Sequence, residues 1–390
     1  MQVAQRLNGI GEYYFSKKLR EIDELNKQGK EIINLGIGSP DLPPHPEVIK
    51  VLQEESKKPN VHGYQSYKGS PILRNAIADW YKKWYSVELN PETEILPLIG
   101  SKEGLMHICM TYLDKDDEAL VPDPGYPTYS SAVKLAGGKS VEYGLSAGND
   151  WYPDLAELQK QVSSKTKLMF VNYPHMPTGQ RPLKERFEEI VKFGKKNKIL
   201  IVHDNPYSFI LNDNPLSLLN VEGAKDTVIE LNSLSKSHNM AGWRMGMLCG
   251  AKERIEDVLR FKSNMDSGMF LPAQLAAAKA LSLGKEWFVE LNKVYEARRE
   301  RVFALLEELN CSFSKDQSGL FIWAGIPDQY ESGYQLSDEV LYNAQVFITP
   351  GGIFGKAGEK YVRVSLCSTE EKLNQSISRV KERMKQKAQL

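Results

Sequence analysis

The feature that most constrains the fold is an alternation of short apolar runs with helix-length segments from Glu94 onward. The runs are EILPLIG, EALVPDP, KSVEYGL, KLMFVNYP, KILIVHDNP, TVIELNSLS and MGMLCGA. This alternation is typical of βα units packed into a mostly parallel sheet that is buried on both faces. Open α/β sheets bind ligands at the carboxyl ends of their strands. We therefore expect functional residues in the turns that follow these runs.

Both ends of the chain depart from this alternation. Up to about residue 30 the sequence is charged and helical in period, and IINLGIGSPD then predicts a short strand entering a Gly/Pro loop. A long helical stretch from about Pro272 to Asn310 precedes SGLFIWAGIP and KYVRVSLCS, which predict strands of a smaller α/β unit. A chain of 390 residues usually exceeds a single core. We predict an arm at 1–45 packing with the small domain, a large domain at 46–285 and a small domain at 286–390.

Composition excludes several classes of protein. Fifty Lys+Arg balance fifty Asp+Glu, which argues against nucleic acid as a partner. No segment approaches the roughly 18 apolar residues of a membrane-spanning helix, and the N-terminus lacks the apolar stretch of a signal peptide. The four cysteines form no CxxC pair and the histidines no HxxH pair, so we expect reduced thiols and no metal site. A cytoplasmic protein is the expectation.

Lys236 lies in LNSLSKSHNMAGWRMG, a Ser-rich turn directly after an apolar run. Ser233 and Ser235 precede this lysine, and Arg244 follows it eight residues later. A Schiff-base lysine needs a site that holds its neutral amine close to a carbonyl. A phosphate needs hydroxyls, backbone N–H groups and a bidentate guanidinium. One short segment supplies all of these groups.

This segment matches SxSKxxxxxGxRxG, the signature of the class I/II aminotransferases of pyridoxal-phosphate (PLP) fold type I. The chain resembles that family from NLGIGSPD to YVRVSLC. The resemblance implies an α/β fold: a large domain with a mostly parallel seven-stranded sheet sandwiched by helices, plus a smaller α/β domain. It also implies pyridoxal 5'-phosphate as cofactor, Lys236 as the Schiff-base lysine, and Arg244 and Ser233 as phosphate contacts.

Asp204 and Tyr207 lie in ILIVHDNPYSF, 32 residues before the lysine. A buried carboxylate can pair with the protonated pyridine nitrogen of PLP and keep the ring cationic. A tyrosine three residues later can donate to the phenolate oxygen of the cofactor. This D-x-x-Y pair resembles that of the family, so we predict Lys236, Asp204 and Tyr207 as catalytic residues.

Other cofactor contacts follow from the same resemblance. GSKEG precedes an apolar helix, and the free N–H groups of a helix N-terminus suit a phosphate, so Ser101 and Lys102 are predicted there. Lys102 could instead be a solvated side chain. Tyr126, in PDPGYPTY, matches the aromatic residue that stacks on the pyridine ring. Asn172, in VNYP, is also predicted to contact the cofactor.

Tyr64, in GYQSYKGSPILR, matches a tyrosine that reaches the phosphate across the dimer interface in relatives. Its assignment implies a homodimer with shared active sites. Tyr67 lies close enough in sequence to be an alternative.

Arg363 is the predicted ligand of the substrate α-carboxylate. It lies within the strand KYVRVSLCS, in a Y-V-R-[VL]-S context that resembles the family, and a guanidinium binds a carboxylate bidentately. Ile37 and Gly38, in NLGIGSPD, are predicted to line the same pocket, where Gly38 permits a close backbone approach.

Met176 departs from the family pattern in this pocket. It stands at the position of the asparagine in the family's N-P-T-G sequence. In the family this asparagine donates to the phenolate oxygen of the cofactor and contacts the substrate carboxylate, whereas a thioether has no donor. Losing a donor to a charged oxygen costs roughly 1.5–3 kcal/mol. The pKa of the Lys236 Schiff base is then expected to rise, and carboxylate binding to depend more on Arg363. His175 or Asn172 could compensate, although a one-residue offset on an extended segment points the other way.

The predicted function is transfer of an amino group between an L-amino acid and a 2-oxo acid by a ping-pong mechanism. The opening GEYYFSKKLREIDELNKQGKEIINLGIGSPDLPPHP resembles LL-diaminopimelate and broad amino-acid aminotransferases of bacteria, so the diaminopimelate reaction is an alternative. A C–S lyase and a low-activity paralogue share the fold and stay open as well. A PLP-binding regulator would carry a winged-helix domain, for which this chain has no room.

Overall fold

The computed structural model describes residues 2–8, 10–12 and 14–387, which fold into three sheets and their flanking helices. The strands are, in chain order, β1 (Ile33–Asn34), β2 (Ile95–Leu98), β3 (Glu118–Asp123), β4 (Lys139–Gly144), β5 (Thr166–Val171), β6 (Leu200–Asp204), β7 (Val228–Ser233), β8 (Gly246–Gly250), β9 (Phe321–Gly325), β10 (Val346–Phe347), β11 (Thr349–Pro350) and β12 (Tyr361–Ser365).

The α-helices differ widely in length, and none that the structure describes is both long and apolar enough to cross a membrane. They are α1 (Tyr14–Lys27), α2 (Pro46–Glu55), α3 (Pro71–Tyr85), α4 (Ser101–Tyr112), α5 (Thr128–Leu135), α6 (Leu155–Gln159), α7 (Lys184–Asn197), α8 (Leu234–Ser237), α9 (Lys252–Lys262), α10 (Leu271–Leu281), α11 (Lys285–Glu308), α12 (Gly333–Ala344) and α13 (Glu370–Lys387).

The seven predicted apolar runs form one sheet in the order β2-β8-β7-β6-β5-β3-β4. Strands β4, β3, β5, β6 and β7 are parallel, and β8 is antiparallel to both β7 and β2. Strand β2 therefore runs in the same direction as β7, and its carboxyl end lies at the same edge of the sheet. The prediction of a mostly parallel seven-stranded sheet is confirmed.

Helices cover both faces of this sheet, which explains why the side chains of β6, β7 and β8 are buried on both faces. On one face α4, α5 and α9 bury side chains such as Ile108, Val133 and Val258 against the strands. On the other face α2, α3, α7 and α10 form a second core that includes Trp80 and Phe187. The sheet is thereby fixed between two layers, and its carboxyl edge becomes a rigid support for side chains.

A smaller assembly follows in the C-terminal part of the chain. Strands β11, β12 and β9 form an antiparallel sheet, and α11, α12 and α13 pack around its apolar core. Strand β1 of the N-terminal arm pairs in parallel with β10, with Ile33 opposite Val346. This pairing supports the predicted packing of the arm on the small domain. The boundaries 1–45, 46–285 and 286–390 stay a prediction, and Met1 and residues 388–390 at their outer ends lie outside the described residues.

The long helical stretch predicted from Pro272 to Asn310 is two helices rather than one. Helix α10 ends at Leu281, α11 begins at Lys285, and Gly284 is the N-cap residue of α11. Glycine is among the poorest helix formers, so a break at this position has a local cause. Asp154 caps α6, because its carboxylate accepts from the backbone N–H groups of Ala156 and Glu157.

Candidate active site

The predicted site residues meet at the carboxyl edge of the seven-stranded sheet. Asn172 follows β5, Asp204 ends β6 and Ser233 ends β7. Helix α4 begins with Ser101 just after β2, whose direction matches that of β7. Parallel strands thus bring together residues that are distant in sequence, as expected for an open α/β sheet.

These residues line one cavity of about 430 Å³, a size typical of small-molecule sites. Every predicted site residue except Tyr64 borders it. The predicted residues on its wall are Ile37, Gly38, Ser101, Lys102, Tyr126, Asn172, Met176, Asp204, Tyr207, Ser233, Lys236, Arg244 and Arg363.

Lys236 lies on the single turn of α8 and extends its amine into the cavity. Its Nζ donates to the carbonyl oxygen of Gly38 at 2.6 Å. Burial lowers the pKa of Lys236, and the cations of Arg363 and Arg244 lower it further against the opposing effect of Cys367. A lowered pKa favours the neutral amine that nucleophilic and base chemistry require.

Asp204 is a buried carboxylate, 5% exposed, with one oxygen bonded and one without a partner. Its Oδ2 accepts from the hydroxyl of Tyr129 at 3.0 Å, whereas Oδ1 has no hydrogen-bond partner among the described residues. Burial raises the pKa of Asp204 to about 6, against the opposing hydrogen bond from Tyr129. A buried oxygen of this kind calls for a donor, and the protonated ring nitrogen of PLP is such a donor. The residue therefore fits the cofactor.

A phosphate cradle forms where α4 begins. Gly100 has φ +81°, and a Cβ at this position would collide with the guanidinium of Arg244. A Cβ on Gly246 would likewise press on the backbone of Gly100 and Ser101. Arg244 has φ +58° and donates from Nη1 to the carbonyl oxygen of Ala241 at 2.7 Å. The cation and the helix N-terminus are thus adjacent, which suits an anion.

The two serines of the lysine motif are bonded to each other. The Ser233 hydroxyl contacts that of Ser235 at 2.8 Å and the carbonyl oxygen of Met245 at 3.1 Å. Ser233 also caps α8 by accepting from the backbone N–H of Ser235. Both side chains border the cavity, so the pair orients the turn that carries Lys236 as well as facing the phosphate cradle.

Arg363 lies on β12 and is 4% exposed, so it does not occupy a solvent face of the strand. Its guanidinium carbon lies 3.8 Å from the ring centre of Phe321 and 4.6 Å from that of Phe354. Its Nη2 donates to the carbonyl oxygen of Gly36 at 2.9 Å. Aromatic faces stabilise a cation in a desolvated site. The stacked guanidinium is therefore held at the cavity wall in a fixed orientation.

Neither residue considered as a substitute for the missing asparagine takes that role. His175 is held by a contact of 2.8 Å between Nδ1 and the Thr178 hydroxyl, and it does not line the cavity. The Asn172 amide donates to the carbonyl oxygen of Asp204, and its oxygen accepts from the backbone N–H of Met176. Both side chains are thus engaged in fixing the backbone of the segment.

Tyr64 lies apart from the cavity of its own chain and is 96% exposed. The bridge between Gln65 and Gly268 brings its segment close to other exposed apolar side chains. These are Tyr67, Met265 and Phe270. Such a patch on one protomer is typical of a subunit interface.

Several cavity residues were not anticipated from the sequence. Tyr129 could have been noticed three residues after Tyr126, whereas the others carry no local motif. The others are Phe15, Leu19, Ser39, Pro206, Ala241, Phe321 and Phe354.

A second polar cluster lies between α4 and the segment after α9, outside the cavity lining. Glu103, His107 and Asp266 place possible ligand atoms within 4.8 Å of one another. The ammonium of Lys262 already donates to Asp266 at 2.5 Å. The cluster therefore contains its own cation, and Glu103 also fixes the turn before α4 by accepting from the backbone N–H of Ile99.

Comparison with known proteins places the whole chain in one family. The family model "Aminotransferase class I and II" matches residues 30–380. An LL-diaminopimelate aminotransferase of Halothermothrix orenii is 40% identical over 383 residues, 98% of each chain. The structure of apo-BacF from Bacillus subtilis is 38% identical, covers 98% of each chain and superposes with a TM-score of 0.94. An aromatic aminotransferase of Pyrococcus horikoshii is 31% identical over 95% of this chain and all of that one, with a TM-score of 0.87.

Proposed function

The chain belongs to the aminotransferase class I and II family, and we propose that Lys236, Asp204 and Tyr207 carry its reaction. It is a PLP-dependent transaminase of fold type I. The observation that carries the assignment is the meeting of the amine of Lys236, the unpartnered oxygen of Asp204 and two guanidinium groups in one cavity.

The phosphate of the cofactor is assigned to the cradle at the start of α4. Arg244 supplies the charge and Ser101 a backbone N–H at the helix N-terminus, and Ser233 and Lys102 line the same cavity. Tyr126 is assigned to the face of the pyridine ring, and Asn172 to its edge. Together these groups match a planar, anionic ligand in both shape and charge.

The proton transfers are assigned to the amine of Lys236. Bound PLP supplies an electron sink for the pair left on the substrate α-carbon. Once free of the cofactor, the Lys236 amine would remove the α-proton of the substrate as general base. The resulting ammonium group would return this proton to the cofactor carbon that is bonded to the substrate nitrogen. Asp204 holds the pyridine nitrogen protonated through its unpartnered oxygen, and Tyr207 donates to the phenolate oxygen. Amino acid and oxo acid then react in turn, which predicts ping-pong kinetics.

The α-carboxylate of the substrate is assigned to Arg363. The guanidinium is stacked between Phe321 and Phe354 and therefore needs little ordering when a carboxylate binds. Gly38 and Ile37 form the wall beside it, and a Cβ on Gly38 would collide with Phe321. The backbone at this point can thus approach the substrate closely.

Two classes of amino donor are suggested by the names of similar proteins. The relative from Halothermothrix orenii acts on LL-diaminopimelate, and the structure from Pyrococcus horikoshii is that of an aromatic aminotransferase. The first donor carries a second charged end, whereas the second carries an apolar ring. The side chains that line the cavity bear on this choice.

A homodimer with shared active sites is proposed from Tyr64. The side chain is almost fully exposed in one protomer, beside apolar surface at Tyr67 and Phe270. A twofold interface there would bury this surface and direct Tyr64 toward the phosphate cradle of the partner. A cytoplasmic location is proposed as well, since the four cysteines are all free thiols.

Half-reaction spectroscopy tests the proposed function. Purified enzyme loaded with PLP is mixed with single amino acids in the absence of an oxo acid. We expect loss of the absorption band of the Lys236 Schiff base and release of one oxo acid per active site. The Lys236→Ala variant is the control and should show neither change. Pyruvate and ammonia from a cysteine conjugate would instead indicate a lyase, and an unchanged spectrum with every donor would indicate a binding role.

A further inference from the structure

We propose that the cavity selects amino acids with a long apolar side chain, and that helix α1 of the N-terminal arm supplies the selecting surface. The proposal rests on the proposed function and names the substrate class of the same site. It distinguishes an apolar donor from a donor with a second charged end.

Part of the cavity lining is apolar. Phe15 and Leu19 from α1 belong to it, together with Phe354 and Ile37. Phe15 lies 5.7 Å from the Arg363 guanidinium carbon, measured to its ring centre. A carboxylate bound at Arg363 therefore places the rest of the substrate next to apolar side chains. Each methylene that such a pocket buries strengthens binding.

The charged groups on the cavity wall all have a task in the proposed function. Arg244, Lys102 and Asp204 face the cofactor, Lys236 reacts, and Arg363 binds the α-carboxylate. The cavity lining of the described chain contains no further acidic or basic side chain. The proposed dimer adds Tyr64, which is uncharged, so a second carboxylate or ammonium group would have no oppositely charged partner among the remaining residues assigned to the site. Burying such a group carries a high desolvation cost.

Helix α1 is positioned to present its apolar side chains to the cavity. Phe15 and Leu19 are four residues apart and share one face of the helix. Ile22 continues this side of the helix into a buried contact with Phe347 of β10. Lys18 donates to Asp338 of α12 at 3.2 Å.

These contacts attach α1 to the C-terminal assembly, which also carries Arg363. The apolar wall and the carboxylate ligand are therefore held by the same part of the fold. The distance between the apolar wall and Arg363 limits the length of a substrate that contacts both. Side-chain length as well as polarity should therefore affect binding.

The first test measures binding without turnover. Heptanoate and pimelate have the same carbon chain and differ only by the second carboxylate of pimelate. Isothermal titration of the PLP-loaded enzyme should give heptanoate an affinity at least about tenfold higher, because a charged end would be buried without a partner. Equal affinities, or tighter binding of pimelate, would overturn the proposal.

The second test uses variants of α1. Leu19→Ala should raise the KM for leucine and phenylalanine about tenfold and leave the KM for alanine unchanged, since alanine has no side chain to reach α1. Leu25→Ala is the matched control, because Leu25 lies on the same helix but packs against Leu341 and Phe347 rather than the cavity. Equal changes for alanine and leucine would contradict a role for α1 in selection.

The two proposals fail in different ways. If no amino acid discharges the Lys236 Schiff base, the proposed function is wrong and the inference is overturned with it. If LL-diaminopimelate or glutamate discharges it faster than leucine, methionine and phenylalanine, the enzyme is a transaminase but the apolar selection is wrong.

Discussion

The guanidinium of Arg363 donates from Nη1 to the thioether sulfur of Met176 at 3.3 Å. Sulfur is a weak acceptor, so this contact orients the guanidinium without a strong bond that a substrate would have to break. The same methionine stands where the family has an asparagine that donates to the cofactor. We therefore expect this one substitution to alter both the carboxylate site and the environment of the Lys236 Schiff base.

Restoring the amide at this position should lower the pKa of the Schiff base. In the Met176→Asn variant a second donor joins Tyr207 at the phenolate oxygen and stabilises the deprotonated form. A hydrogen bond to a charged oxygen contributes roughly 1.5–3 kcal/mol, so we expect a downward shift of about one to two pH units. The absorbance of the PLP-loaded enzyme, titrated with pH, measures it.

Met176→Leu is the control for this prediction. Leucine keeps the apolar volume, removes the sulfur and adds no donor. Its Schiff-base pKa should equal that of the wild type. An unchanged pKa in Met176→Asn would mean that the position does not reach the phenolate oxygen.

Replacing Asp204 by asparagine should stabilise the cofactor-free protein at alkaline pH while abolishing transamination. The folded-state pKa of Asp204 is about 6 because of burial, above the usual value of about 3.9 in an unfolded chain. The folded state therefore binds the proton more tightly, and the wild type loses stability as the pH rises from about 4 through 6. At pH 8 the Asp204→Asn variant should be more stable by roughly 1–3 kcal/mol.

Urea unfolding of the cofactor-free proteins at pH 8, 6 and 5 measures this difference. The difference in the free energy of unfolding between variant and wild type should become smaller as the pH falls. Asp79→Asn, at an exposed position of α3, is the control and should give no pH-dependent gap. A constant gap at all three pH values would show that the ionisation of Asp204 is not its source.

Arg244→Gln should weaken binding of PLP and spare binding of pyridoxal, which lacks the phosphate. Loss of a charge-assisted hydrogen bond costs roughly 1.5–3 kcal/mol, so the Kd for PLP should rise about 10- to 150-fold. Fluorescence titration of the cofactor-free protein measures both ligands. Arg260→Gln, on the exposed side of α9, should change neither Kd. Equal weakening for pyridoxal would place Arg244 away from the phosphate.

Much of this fold is visible in the sequence because its signals are local. Parallel strands buried on both faces are rich in apolar residues, and each of the seven runs coincides with one of β2–β8. The groups around Lys236, Asp204 and Arg363 belong to short motifs that resemble a known family. The spacing of residues within one strand or turn is therefore enough to predict these groups.

Contacts that depend on distant segments were not predictable in this way. The bond from Tyr129 to Asp204 joins α5 to β6, and nothing near either residue indicates it. Phe15 and Leu19 have the spacing of any helix with an apolar face, so their approach to the cavity depends on how the arm packs. The break at Gly284 was missed because apolar residues continue on both sides of it.

The proposed sharing of active sites predicts recovery of activity when two impaired variants are mixed. Tyr64→Ala should lower the affinity for PLP, and Lys236→Ala should be inactive. In a mixed dimer the chain with intact Lys236 receives Tyr64 from its partner, so one site is complete. Random reassociation after mild denaturation should restore up to about a quarter of the wild-type activity at limiting PLP, because half of the dimers are mixed and each has one intact site.

A mixture of Lys236→Ala and Asp204→Asn should stay inactive, since both residues line the cavity of the same chain. If the first mixture never exceeds the sum of its separately assayed variants, Tyr64 does not serve the site of a partner.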